Sequence, residues 1–203
     1  KSGLVELAKS LSKFGVEIIS TGGTLAALRK AGVQAISVST FTGAPEILGG
    51  RVKTLHPKVH AGILARRGND SDEAELTHHE YKLIDMVVVN LYPFEQTVAN
   101  PESSEKDIIE NIDIGGPTMV RASAKNFEGV AVVTNPADYQ SIIEEMNQND
   151  GCLCLATRKI LAGKAFAMTF KYDSAIAHYF KSAAKEPVES DLPTTLEIGR
   201  AHV

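Results

Sequence analysis

The chain has 203 residues, 43% of them hydrophobic and 23% charged, with a formal net charge of -4 and a pI near 5.9. That length suits one large domain, or one domain plus the start of another, with ordinary apolar content for a buried core. The acidic balance argues against a general nucleic-acid binder, and no apolar run approaches the roughly 18 residues that a membrane-spanning helix needs. No signal peptide is evident, although the chain opens on Lys1 rather than Met, which leaves a lost presequence open. Cys152 and Cys154, in GCLCLA, are separated by one residue, a poor disulfide spacing that also lacks the CxxC pattern of redox or zinc sites. Both read as small apolar residues in a reducing, cytoplasmic compartment.

In chain order, Ser2 to Phe14 places Leu4, Leu7, Ala8 and Leu11 at helical spacing. Val16 to Ser20 reads as a short buried strand, TGGT as a turn, and LAALRKAG as a helix with Gly32 as its C-terminal cap. Val33 to Ser39 is a second strand, followed by the polar connection TGAPEILGG and a basic segment. DEAELTHHEY is a short polar helix. Ile84 to Tyr92 is a continuous apolar run suited to the centre of a parallel sheet. SSEKDIIENI is an amphipathic helix, and Gly129 to Thr134 a fourth strand. PADYQSIIEEMNQND and the segment from Leu155 to Phe180 close the pattern as long helices. Alternating strands and helices predict an α/β fold, a parallel sheet flanked by helices in three Rossmann-like layers. The chain begins on a helix where such folds generally begin on a strand, so a first strand is expected to be missing.

Four features could carry chemistry. Strand, then Thr21-Gly22-Gly23-Thr24, then helix is phosphate-binding geometry, because glycines admit a close backbone approach and a helix N-terminus attracts anions. A plain tight turn with a threonine cap is the bland alternative. From Arg51 to Arg67 there are five Lys or Arg residues and two His, with no carboxylate until Asp70. Such a run is either an anion site or a solvated face. In IDIGGPTMVRASAKN, Gly115-Gly116 and then Pro117 feed a helix start, with Asp113 just before it and Arg121 and Lys125 four apart on one face. An exposed helix face with a mere loop acid is the alternative there. NLYP ends the third strand, so Asn90 and Tyr92 would lie where ligands bind in open α/β sheets. All four could share one rim. The six histidines show no metal signature, and His56 is at most a hydrogen-bonding neighbour of a ligand.

The motifs RVKTLHPKVHAGILARR, DMVVVNLYPF, ENIDIGGPTMVRASAKN and ATRKILAGKAF, in that order, resemble the inosine monophosphate (IMP) cyclohydrolase domain family. These domains form the N-terminal part of bifunctional purine biosynthesis proteins that also hold an aminoimidazole carboxamide ribonucleotide (AICAR) transformylase. The resemblance runs from Lys1 to about Phe180. It implies a methylglyoxal synthase-like fold, an IMP cyclohydrolase domain over 1–185, and a linker with the start of a transformylase domain over 186–196. EIGRAHV, 197–203, departs from the pattern and reads as a translated sequencing adapter.

The resemblance implies closure of 5-formamido AICAR (FAICAR) to IMP with loss of water. It assigns phosphate binding to Lys1 and to Thr21, Gly22, Gly23 and Thr24. It assigns nucleotide contacts to Arg51, Val52, Lys53 and Thr54, then to Val89 and Asn90, then to Asp113 and Ile114. Lys53, Tyr92 and Asp113 match catalytic positions, and Lys125 matches the proton donor or acceptor. No cofactor or metal is implied for ring closure, whereas 10-formyltetrahydrofolate belongs to the missing transformylase domain. A cytosolic homodimer is implied, with no nucleic-acid or membrane partner. The same fold also serves as a non-catalytic effector-binding module, which is the alternative reading.

Overall fold

The computed structural model describes residues 3–183. Lys1 and the predicted divisions at 186–196 and 197–203 lie outside the described residues. The first helix, α1 (Leu4–Lys13), follows the predicted stripe. Leu7, Ala8 and Leu11 are its buried residues, and they stand on one side because three- and four-residue spacings coincide on a helix. Leu7 and Leu11 enter a core shared with Tyr139, Ile142 and Met146 of α9 (Tyr139–Gln148). Leu7 is only 1% exposed. Removing such a side chain by Leu7→Ala costs about 2–5 kcal/mol.

Among the described residues the four expected strands form, in two parallel pairs, with helices packed on them. β1 (Ile19–Ser20) pairs with β2 (Ile36–Ser37), and β3 (Met86–Val88) pairs with β4 (Ala131–Val133). The strands are shorter than the apolar runs, because neighbouring helix ends claim the flanking backbone. Val16 N–H donates back to Leu11 C=O and Val33 N–H to Leu28 C=O. Both complete the exit from a helix through a glycine with positive φ, Gly15 and Gly32. Beyond Ser37 the chain turns into α3 (Val38–Thr42), because Ser37 Oγ accepts the Thr40 N–H at 3.0 Å.

One expectation about the sheet needs correcting. Among the described residues β3 has β4 on one side only, and the two strand pairs share no ladder. The most deeply buried strand is β4, whose three residues are all buried. Met86 and Val88 of β3 instead border a cavity of about 1510 Å³ that Ile19 and Ser20 of β1 also line. A volume above the usual 300–1,000 Å³ of a small-molecule pocket reflects this gap between strand pairs as well as a site at its mouth.

The remaining helices follow in chain order. α2 (Gly22–Lys30) follows β1, and α4 (Pro57–Leu64) and α5 (Asp70–His78) follow the basic segment. α6 (Phe94–Ala99), α7 (Glu105–Glu110) and α8 (Gly115–Lys125) lie between β3 and β4, and α10 (Leu155–Ala183) closes the described chain. The two cysteines are not apolar filler. Both are exposed and free, and Cys154 Sγ accepts the Thr157 N–H at 3.4 Å at the start of α10. No described helix is long and apolar enough to cross a membrane.

Candidate functional site

The phosphate-type turn lies at the cavity wall. α2 begins at Gly22, so both glycines of TGGT belong to its first turn rather than to a loop ahead of it. Gly22 has φ 52°, a left-handed value that favours glycine. Thr21 occupies the N-cap position, yet its hydroxyl makes no capping bond. The simple threonine-cap reading is therefore set aside. The first-turn N–H groups and the positive helix end sit beside Thr21, Gly22, Gly23 and Thr24, all of which line the cavity.

A second helix start converges on the same space. Asp113 Oδ1 accepts the Gly116 N–H at 2.8 Å, so the carboxylate rests on the positive end of α8. The two glycines make that approach possible. A Cβ on Gly115 would stand 2.4 Å from Thr54 Oγ1, and one on Gly116 would stand 2.5 Å from Asp113 Oδ2. Real Cβ atoms do not come so close, so the pair lets a buried hydroxyl and a carboxylate crowd one helix end. Ile114, 58% exposed, is at the N-cap and also lines the cavity.

The basic segment divides by function. Arg51 and Lys53 line the cavity, with Thr54 beside them. Arg51 is ion-paired through Nη2 with Glu110 at the end of α7, and its Nε donates to the same carboxylate at 3.3 Å. That hydrogen bond raises the Arg51 pKa and lowers that of Glu110. Lys53 Nζ comes within 3.8 Å of where a Cβ on Gly50 would sit. Val52 bridges to Ile47 through its backbone and does not line the cavity. The other cations of the run, for which a solvated face was the alternative reading, have partners within the fold. Lys58 Nζ lies over the rings of Phe41 and Tyr81, at 5.4 and 5.9 Å. Arg66 binds Asp72, and Arg67 donates to Ala65 C=O, Ile84 C=O and Asp85. The carboxylates lacking in the local sequence arrive through the fold.

After β3, Val89 and Asn90 reach the cavity wall. Asn90 Nδ2 donates to Thr134 C=O at 2.8 Å, which fixes the amide and leaves its oxygen as the acceptor end. Tyr92 also lines the cavity and is 44% exposed.

Lys125 is not brought to this place. It ends α8 and is exposed, and it does not border the cavity. An eleven-residue helix separates its ends by roughly 15 Å at about 1.5 Å per residue. The expected sharing of one rim therefore holds for Asp113 and fails for Lys125 within one chain. His56 caps α4, its Nδ1 accepting the Lys58 N–H at 3.1 Å. Burial lowers the His60 pKa, opposed by a bond with the Thr54 backbone. Among the described residues no group of three His, Cys, Asp or Glu is placed to hold a metal.

Sequence reading missed Glu110 and Tyr172. The Tyr172 hydroxyl accepts the Asp113 N–H at 2.8 Å and donates to Asn111 C=O at 3.1 Å. Each reaches its partner from about 60 residues away, so no local motif could have signalled it.

Fold and cavity together define an α/β domain with its candidate site beyond the carboxyl ends of parallel strands, between two helix N-termini. Residues 3–118 match the family described as the MGS-like domain, and the chain belongs to that family. Residues 123–201 match the family described as the AICARFT/IMPCHase bienzyme. The chain is 52% identical over 191 residues to the bifunctional purine biosynthesis protein PurH of Chlorobium phaeobacteroides (strain BS1), covering 94% of this chain and 36% of that protein. The chain thus spans about a third of the length of this curated relative, in keeping with its IMP cyclohydrolase region. The crystal structure of ForH is similar as well, with a TM-score of 0.77 and 36% identity over 88% of this chain and 93% of that one.

Proposed function

We propose that this domain closes FAICAR to IMP, acting in purine biosynthesis. The observation that carries the reading is that Lys53, Tyr92, Asp113 and two helix N-termini all border one cavity. The substrate phosphate would take the TGGT end of α2, where N–H groups and dipole favour an anion. Arg51 would add positive charge, and Val89 with Asn90 would meet the base.

Ring closure joins the carboxamide nitrogen to the formyl carbon of one bound molecule, so holding the two groups in contact supplies much of the acceleration. The nitrogen must lose a proton, the formyl oxygen must be stabilised as charge develops, and hydroxide must leave with a proton. Asp113, pinned through Oδ1 to Gly116 N–H, would orient the carboxamide with its second oxygen. Lys53 and the α8 N–H groups would stabilise the formyl oxygen, and the Tyr92 hydroxyl would relay protons. The role that the sequence resemblance implies for Lys125 requires a second copy to present it, as the implied homodimer would allow. No cofactor enters these steps. Formyl transfer from 10-formyltetrahydrofolate belongs to a longer parent protein.

Absorbance of the growing purine ring on mixing FAICAR with the protein tests the reading. Rapid closure that falls on the order of 100-fold in Asp113→Asn supports it. A folded protein that binds IMP and closes no ring favours the effector-binding alternative.

A further inference from the structure

The 111–113 turn carries the Asp113 carboxylate, yet its own helix supplies only one restraint on it, the bond from Gly116 N–H to Oδ1. The Asp107, Ile108 and Ile109 carbonyls of α7 hold the start of the turn by accepting from the Asn111 and Ile112 N–H groups, and a further restraint, the one that reaches Asp113 N–H, comes from α10. The half-buried Tyr172 hydroxyl sits between two backbone groups of that turn, accepting from Asp113 N–H at 2.8 Å and donating to Asn111 C=O at 3.1 Å. Its ring packs edge-on against Phe94, with centroids 6.2 Å apart, and Phe94 is 2% exposed. Phe94 begins α6 two residues after Tyr92, and its N–H donates to Tyr92 C=O at 2.8 Å. One side chain on α10 thus touches the backbone of the Asp113 turn and the ring that anchors the Tyr92 segment.

We propose that Tyr172 is a positioning residue for ring closure, setting the Asp113 turn relative to Tyr92 without contacting the substrate. The claim rests on the reading of the cavity as a cyclohydrolase site. The chemistry suits the task. A phenol accepts and donates through one oxygen, so it satisfies an N–H and a C=O at once, and its rigid ring transmits the position of a packed helix. Burial, the leading cause, raises the Tyr172 pKa above its ordinary value, which keeps the donor proton in place across the neutral range.

Tyr172→Phe keeps the ring and its packing and deletes the oxygen. The turn then loses both bonds, and small misplacements of a catalytic group cost rate steeply. The expected result is a roughly tenfold fall in kcat with little change in KM, measured well below Tm. Tyr179→Phe provides the control: that ring also meets Phe94 edge-on and belongs to no part of the proposed site, so its kcat should match the unmodified protein. A merely structural role for Tyr172 would multiply with any other defect. A positioning role acts through Asp113, so Tyr172→Phe should slow the Asp113→Asn variant hardly at all. Full multiplication of the two losses, or an unchanged kcat in Tyr172→Phe, overturns the inference. Amide exchange read at Asp113 is independent of turnover and should quicken at least about tenfold in Tyr172→Phe as the protecting bond goes. If the unmodified protein closes no FAICAR, the functional reading fails. Unchanged exchange at Asp113 would separately refute the positioning of the turn.

Discussion

A methyl group on Gly116 would stand 2.5 Å from Asp113 Oδ2 and 2.8 Å from Leu91 Cδ2, and the carboxylate is the neighbour with restraints on it. Asp113 is held by Gly116 N–H at one oxygen and by Tyr172 at its amide. Gly116→Ala must therefore push the carboxylate aside at the position where the proposed reaction needs it. The expected outcome is a fall in kcat on the order of 100-fold, larger than the loss in IMP affinity. Steady-state kinetics beside IMP titration calorimetry would check it, and an unchanged kcat would show that Asp113 tolerates the shift. At this scale the sequence was informative about residue types and poor about their neighbours. Gly115-Gly116 reads as a loop feeding a helix, and Asp113 as the acid before it. That Gly115 makes room for the Thr54 hydroxyl is invisible, because the requirement comes from a residue about sixty positions away. The same limit hid Glu110, whose carboxylate supplies the partner that the basic segment lacks in sequence.

Secondary elements were read well where local signals agreed and poorly where a side chain redirected the backbone. α1, α9 and α10 form where helices were read, whereas α3 and α4 arise from caps by Ser37 and His56 inside segments that read as strand end and basic segment. The junction of α4 and α5 makes a pH prediction. Arg66 binds Asp72 through its backbone N–H at 2.8 Å and its guanidinium at 3.0 and 2.6 Å. The side-chain bond, with the backbone bond behind it, holds the Asp72 carboxyl down to about 2 from 3.8. Its folded pKa lies below the unfolded one, so the stabilisation is present above the unfolded value and is lost as pH falls towards about 2. Asp72→Asn should flatten the stability profile between about pH 4 and about pH 2. Denaturant midpoints at stepped pH would reveal it; parallel profiles would mean the pairing persists in the unfolded chain. α8 makes the second prediction at this scale, since its length keeps Lys125 roughly 15 Å from the Asp113 end. A Lys125 that serves catalysis must then serve another copy's cavity. Asp113→Asn and Lys125→Leu, each deficient alone, should regain activity when mixed and allowed to exchange subunits. Random pairing would rebuild roughly a quarter of the sites. Recovery that never rises above the separate variants would confine Lys125 to its own chain or to no role.

The whole molecule departs from its sequence in the sheet. Each strand was legible as an apolar run, and the parallel pairing follows from helices alternating with strands. Nothing local reveals that β1–β2 and β3–β4 stay apart, because a ladder needs a neighbour and the runs do not say which neighbour each will find. The consequence is physical. β1 and β3 each belong to a two-stranded parallel pair, and both border the same cavity. Unpaired strand edges recruit extended chains, which gives either useful pairing or aggregation. Parallel edges on both sides of a gap suit a single inserted strand that bonds left and right, burying its side chains against Ile19 and Val88. An extended peptide of about five residues rich in valine and isoleucine should therefore raise Tm in proportion to the logarithm of its concentration above Kd. The same peptide with proline at its centre, which removes a ladder donor, should raise it much less. Thermal scans with light scattering would separate this from self-association, because insertion should raise Tm and suppress scattering together. If the peptide shifts neither, the gap does not admit a strand. The cavity would then be wholly a ligand site, not partly the place of a strand.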